Sequence, residues 1–110
     1  MGTRSLYLVF SKPPDRVSDE EYQRWYELHA RENIQSPGFV SARRFAVTPS
    51  RGDDAPLTHL ALYEYEGEQQ VWRDDLDRRI QQGQIQLPEW FGEITFQSWD
   101  CSALSDRFDP

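Results

Sequence analysis

Apolar side chains recur along this chain at two different periods, and the places where the period changes mark out six elements. Residues 4 to 11 alternate, with Leu6, Leu8 and Phe10 on one face and Tyr7 and Val9 on the other, which predicts a strand that is apolar on both sides. The Pro13-Pro14-Asp15 turn ends it. Ser18 stands three residues before Glu21, the spacing of a capping box, and Asp19 and Glu20 suit the positive end of a helix dipole. The helix that follows runs to about Ile34, with Tyr22, Trp25, Tyr26 and His29 sharing one face.

Ser36-Pro37-Gly38 breaks that helix. A second strand is predicted over 39 to 48, with Phe39, Phe45 and Val47 on one side and Val40, Ala42 and Ala46 on the other; the adjacent Arg43 and Arg44 must then point to opposite faces. Pro49, Gly52 and Pro56 make residues 49 to 57 a hairpin-type loop. The third strand, 58 to 65, sets Leu60 and Leu62 against His59, Ala61, Tyr63 and Tyr65. Trp72, Leu76 and Ile80 give a narrow stripe to a second helix, about 68 to 82, stopped by Gly83. In the last strand, 94 to 101, Ile94 and Phe96 alternate against Gln97 and Trp99.

The order β-α-β-β-α-β predicts an α+β, ferredoxin-like domain: a four-stranded antiparallel sheet with two helices on one face, spanning residues 1–102, and a polar C-terminal tail at 103–110. Two helices cover only one face of such a sheet. With Tyr7, Val9, Tyr63 and Trp99 expected opposite Leu6, Leu8, Leu60, Leu62 and Phe96, the bare face would be an aromatic patch of roughly several hundred Å², larger than soluble monomers usually expose. A two-fold partner packing sheet against sheet is the expected cover. The competing expectation is a monomer with one wet sheet face.

Charge narrows the partners. Among 110 residues, 19 acidic against 12 basic give a net charge of -7, a field that repels nucleic-acid backbones and anionic lipid surfaces. No apolar run approaches a membrane span, and Met1 to Ser5 lead straight into a strand pattern with no apolar leader, so a cytoplasmic protein is expected. A single cysteine, Cys101, and two histidines are too few for a structural zinc site, and neither a phosphate loop nor a nucleophile elbow is present. No metal or cofactor is expected.

The segment Trp25-Tyr26-Glu27-Leu28-His29, followed by Pro37-Gly38-Phe39-Val40-Ser41-Ala42-Arg43-Arg44-Phe45, resembles the dimeric α+β barrel superfamily and, within it, the EthD-like proteins. That resemblance implies a homodimer and one of several activities: cofactor-free monooxygenation, isomerisation, cyclisation, haem-dependent chemistry or none. Fold does not choose among them. It also implies interest in His29, because a histidine at the matching helical position recurs in EthD-like sequences.

On chemical grounds His29 is suited to move protons near neutral pH, and Tyr26 can stabilise an enolate or phenolate oxygen. Tyr22 and Trp25 would add an aromatic wall, with Tyr7, His59 and Tyr63 from the strands facing it, a lining that fits a flat aromatic metabolite with a few oxygens. An inward Arg44 would hold a carboxylate or phenolate, or an internal acid. Each has a plain structural alternative: a core-edge histidine, core aromatics and an ion pair. The charges of 73 to 79 read as a solvated helix face with Asp74–Arg78 and Asp75–Arg79 pairs. Two functions follow: a cofactor-independent cyclase, isomerase, lyase or monooxygenase working by proton transfer through His29, or a dimeric module that binds a hydrophobic metabolite without turnover.

Overall fold

The computed structural model describes residues 4–52, 54 and 56–110. Strand β1 covers Ser5–Lys12, helix α1 Asp19–Asn33, β2 Phe39–Ala46, β3 His59–Tyr65, helix α2 Gln69–Gln81 and β4 Thr95–Cys101, with a short 3-10 turn at Phe91–Glu93. The strands form one antiparallel sheet in the order β2-β3-β1-β4, a ferredoxin-like α+β arrangement. No helix among the described residues is long and apolar enough to cross a membrane.

Local chemistry sets the boundaries. Ser18 caps α1 by accepting the Glu21 N–H at 3.1 Å. The reciprocal half of the capping box is not made, because the Glu21 carboxylate instead accepts the Trp90 indole N–H at 3.1 Å, fastening the segment before β4 to the start of α1. At the other end of α1, Gly38 sits at φ 100° with the Glu66 carbonyl 3.0 Å from where a Cβ would stand, so glycine alone fits this turn. Helix α2 closes in a Schellman motif: Gly83 N–H reaches the Ile80 carbonyl and Gln84 N–H the Arg79 carbonyl. The predicted loop over 49 to 57 includes positions 53 and 55, outside the described residues; the Val47 N–H to Thr58 carbonyl bond, 2.8 Å, closes its base.

Register decides which face is the core. Tyr7 pairs with Tyr63 and Val9 with Ala61, and these side chains pack beneath α1 with Tyr22, Tyr26 and Ala30. The open face is thus the leucine one, with Leu6, Leu8, Phe10, Leu60 and Leu62 half-buried, and not the aromatic one expected to lie bare, because Tyr7 and Tyr63 pack under the helices. Two expected face assignments are corrected. Trp99 pairs with Leu8 and Phe96 with Ser11, so Trp99 belongs to the open leucine face and Phe96 to the helix-covered one. In β2 a bulge between Phe39 and Ser41 flips the alternation, so Phe39, opposite Tyr65, stacks on Trp72 under the helices at 4.9 Å, whereas Phe45, opposite Leu60, faces out. Arg44, opposite Ala61, is the inward member of the arginine pair.

Candidate functional site

A cavity of about 310 Å³ opens between the two helices and the covered face of the sheet. Its volume lies at the lower end of the range of small-molecule sites. Helix α1 supplies Tyr26, His29 and Asn33, β1 supplies Tyr7 and Val9, and β3 supplies Tyr63. The i, i+3, i+7 spacing of Tyr26, His29 and Asn33 puts all three on the helix face that looks at the sheet, while Tyr7 and Tyr63 are cross-strand partners with rings 5.8 Å apart.

His29 is buried, and its Nδ1 has no hydrogen-bond partner among the described residues. Its ring stacks on Trp25, centroids 4.7 Å apart and planes 21° apart, and meets Tyr26 edge-on at 5.7 Å. Desolvation by these rings lowers its pKa to about 4, so at neutral pH it is an uncharged imidazole able to accept a proton. Burial drives the Tyr26 phenol far above its ordinary range and the Tyr63 phenol to about 12, the latter opposed by the hydrogen bond that Asn33 Nδ2 donates to the Tyr63 hydroxyl at 3.1 Å. Both tyrosines are therefore protonated donors.

The remaining expected residues lie elsewhere. Tyr22 is fully buried and donates to Ser11 Oγ at 2.6 Å, and Trp25 packs on Trp90 and Phe91 behind His29; neither lines the cavity. Trp25 acts only by shaping the surroundings of His29. His59 packs edge-on against Tyr22 and pairs with Thr58 Oγ1 at 2.8 Å, and burial first, then the Arg44 charge, lower its pKa. Arg44 lies over the Tyr26 ring at 4.5 Å, also outside the cavity.

The other wall comes from α2 and β4. Trp72, Arg73 and Asp77 line it together with Phe96 and Ser98. Arg73 lies over the Tyr7 and Trp72 rings at 5.5 and 4.8 Å, with a loose ion pair to Asp100 at 3.7 Å. Arg73 and Asp77 are thus not confined to the solvated helix face expected of residues 73 to 79. Their signal was their position one residue beyond Trp72 and Leu76, at the margin of the apolar stripe, just as Asn33 is marked by lying one turn beyond His29. The expected Asp74–Arg78 and Asp75–Arg79 pairs are also replaced: Asp75 pairs with Arg78 at 2.6 Å, and Arg79 crosses to α1. Among the described residues no group of three or more His, Cys, Asp or Glu is placed to hold a metal ion.

No protein-family model matches the chain, and no curated protein resembles it in sequence. Ten solved chains match it in structure, among them two that span nearly all of it. One, from Shewanella loihica PV-4, is described as a "putative monooxygenase"; it is 13% identical, with a TM-score of 0.64, over 96% of this chain and 99% of that one. The other is SnoaB, a cofactor-independent oxygenase from Streptomyces nogalater, 12% identical with a TM-score of 0.58, over 94% and 96% of the two chains.

Proposed function

We propose that this chain is a cofactor-independent enzyme that binds a small hydroxylated aromatic or polyketide-like metabolite in the cavity beneath α1 and α2, and begins its reaction by moving a proton to His29. The observation that carries the reading is an uncharged, buried imidazole opening on a ligand-sized cavity beside two protonated tyrosines. A phenol or an activated ring CH₂ gives its proton to His29, and the hydroxyl of Tyr26 or Tyr63 stabilises the resulting oxyanion. An imidazole with a pKa of about 4 is a weak base toward a neutral surrounding; formation of an anion at contact distance favours its cation and offsets part of that cost. Cyclisation, isomerisation and elimination all start from such an anion. The two structural neighbours favour the monooxygenase form, in which the electron-rich anion reduces dioxygen: a ring CH₂ becomes C=O, one oxygen atom stays in the product and the other leaves as water.

The EthD-like relationship belongs to the same proposal and rests on the segment from Trp25 to Phe45. So does the homodimer, supported by the leucine-rich open face of the sheet.

A panel of hydroxylated two- and three-ring aromatics, screened by thermal shift and then by dioxygen uptake and product mass, tests the proposal. A specific ligand should raise the melting temperature by mass action. His29→Ala should then lower turnover by about 10² to 10⁴ while the near-UV circular dichroism spectrum is retained. Binding without turnover of any ligand in the panel would favour a non-catalytic metabolite-binding module. Failure of every ligand to bind would overturn the reading.

A further inference from the structure

Arg44 carries chemistry that the proposed reaction leaves unused. It extends from β2 under α1, its side chain is only 10% exposed, and its Nε and Nη1 have no hydrogen-bond partner among the described residues. The nearest carboxylate is Glu27, 3.8 Å from Nη1, beyond hydrogen-bond reach and on a side chain that is 60% exposed. At that distance and exposure Glu27 neutralises the guanidinium only in part. Its guanidinium carbon lies 4.5 Å from the centre of the Tyr26 ring, and Tyr26 lines the cavity.

The charges around the cavity make this cation count. From α2 the rim carries one charge of each sign, Arg73 and Asp77; His29 on α1 is neutral, and the tyrosines of β1 and β3 are un-ionised. On the cavity's own lining the formal charges cancel. Arg44, whose nearest carboxylate is 3.8 Å away on a mostly exposed side chain, adds a buried positive charge behind Tyr26.

Resting on the reading above, we propose that Arg44 is a positioning residue that acts through Tyr26: its buried charge orients and polarises the Tyr26 ring and hydroxyl and stabilises an anionic state of the molecule bound in the cavity. Its field reaches Tyr22, Tyr26, Tyr63 and His59, favouring the more negative form of each. A ligand oxyanion beside Tyr26 and Tyr63 stands in the same field. The cavity is thereby matched to a ligand that is neutral when free and ionises once bound.

A nitronaphthol whose phenolate absorbs in the visible serves as the probe, titrated while bound to the wild-type protein, Arg44→Met, Arg44→Lys and Glu27→Gln. The bound probe should ionise about one pH unit lower in the wild type than in Arg44→Met, with Arg44→Lys restoring most of the difference. Removal of a partner that only filled space would leave the probe's titration where it was. Should Arg44→Met fail to fold, Glu27→Gln decides: loss of the opposing charge should move the probe's ionisation below the wild-type value, and an unmoved titration overturns the proposal. If the probe binds and titrates identically in all four proteins, the role of Arg44 is refuted and the cavity reading stands. If the wild type does not bind this probe, the role of Arg44 is overturned, and the cavity reading is decided by the full aromatic panel.

Discussion

His29 holds a proton less readily in the folded protein than in the unfolded chain, and that difference ties the candidate site to stability. Its pKa falls from 6.5 to about 4 because burial among Trp25, Tyr26 and Phe91 penalises the cation. Between those two values the unfolded chain takes up a proton that the folded one refuses, so stability is lost as the pH falls from 6.5 toward 4 and no further below it. At pH 4.5 the loss amounts to roughly 2–3 kcal/mol. Urea midpoints at pH 7 and 4.5 should therefore drop further for the wild type than for His29→Gln, which carries no titrating group there. His59 titrates with the same sign but is present in both proteins, so it cancels in the comparison. Equal drops would mean that His29 is protonated in the folded state. The same titration bears on activity: kcat/KM should be flat in this group above pH 5.5 and fall through about 4. The residue types at the site were legible in the sequence as a helical face; that Tyr22 and Trp25 are packing was not, because a shared face does not say which side chain meets a neighbour and which meets a void.

At the scale of elements, the two helices are held together by one arginine. Arg79, near the end of α2, donates to Ser36 Oγ at 2.9 Å and to the Glu32 carbonyl at 2.8 Å, a carbonyl in the last turn of α1 that also accepts the Gln35 N–H at 3.2 Å. Ser36 is itself buried, so Arg79→Ala removes two charge-assisted hydrogen bonds from a partly buried seam. The expected cost is about 1–3 kcal/mol of unfolding free energy by urea denaturation, against less than about 0.5 for Arg78→Ala, whose ion pair with Asp75 is local to the helix surface. Since both helices wall the cavity, Arg79→Ala should also loosen ligand binding. Sequence periodicity predicted all six elements to within a residue or two. It misread the phase of β4 and the bulge in β2, because alternation within a strand states only that two faces exist, while register with the neighbouring strand decides which face is which. Likewise Asp75 and Arg79 have the spacing of a local pair, and only the approach of α1 gives Arg79 a better partner.

For the whole molecule, the open face of the sheet is the feature that a folded monomer explains least. Leu6, Leu8, Phe10, Leu60 and Leu62 lie on it half-buried, joined by Phe45 at 38% and Trp99 at 53% exposure. The register correction enlarges this patch: Trp99, expected on the face of Tyr7 and Tyr63, stands opposite Leu8 and extends the apolar surface across β4. Side chains of this size, contiguous over all four strands, can supply the roughly 800 Å² per partner that a stable interface buries. A second copy meeting the first about a two-fold axis would cover the patch on both molecules at once. Sedimentation of the wild type at micromolar concentration should accordingly give twice the chain mass. Leu62→Glu on inner strand β3, or Trp99→Glu on edge strand β4, placing a charge within the patch, should shift the protein to monomer or strongly weaken association. The cavity lies on the opposite side of the sheet, so if these variants fold as monomers that still bind an aromatic ligand, the dimer serves stability and the site is complete within one chain. If they lose the ligand while keeping their fold, sheet pairing sets the positions of Tyr7 and Tyr63. A wild-type protein that sediments as a monomer would leave the open face wet and refute the two-fold arrangement.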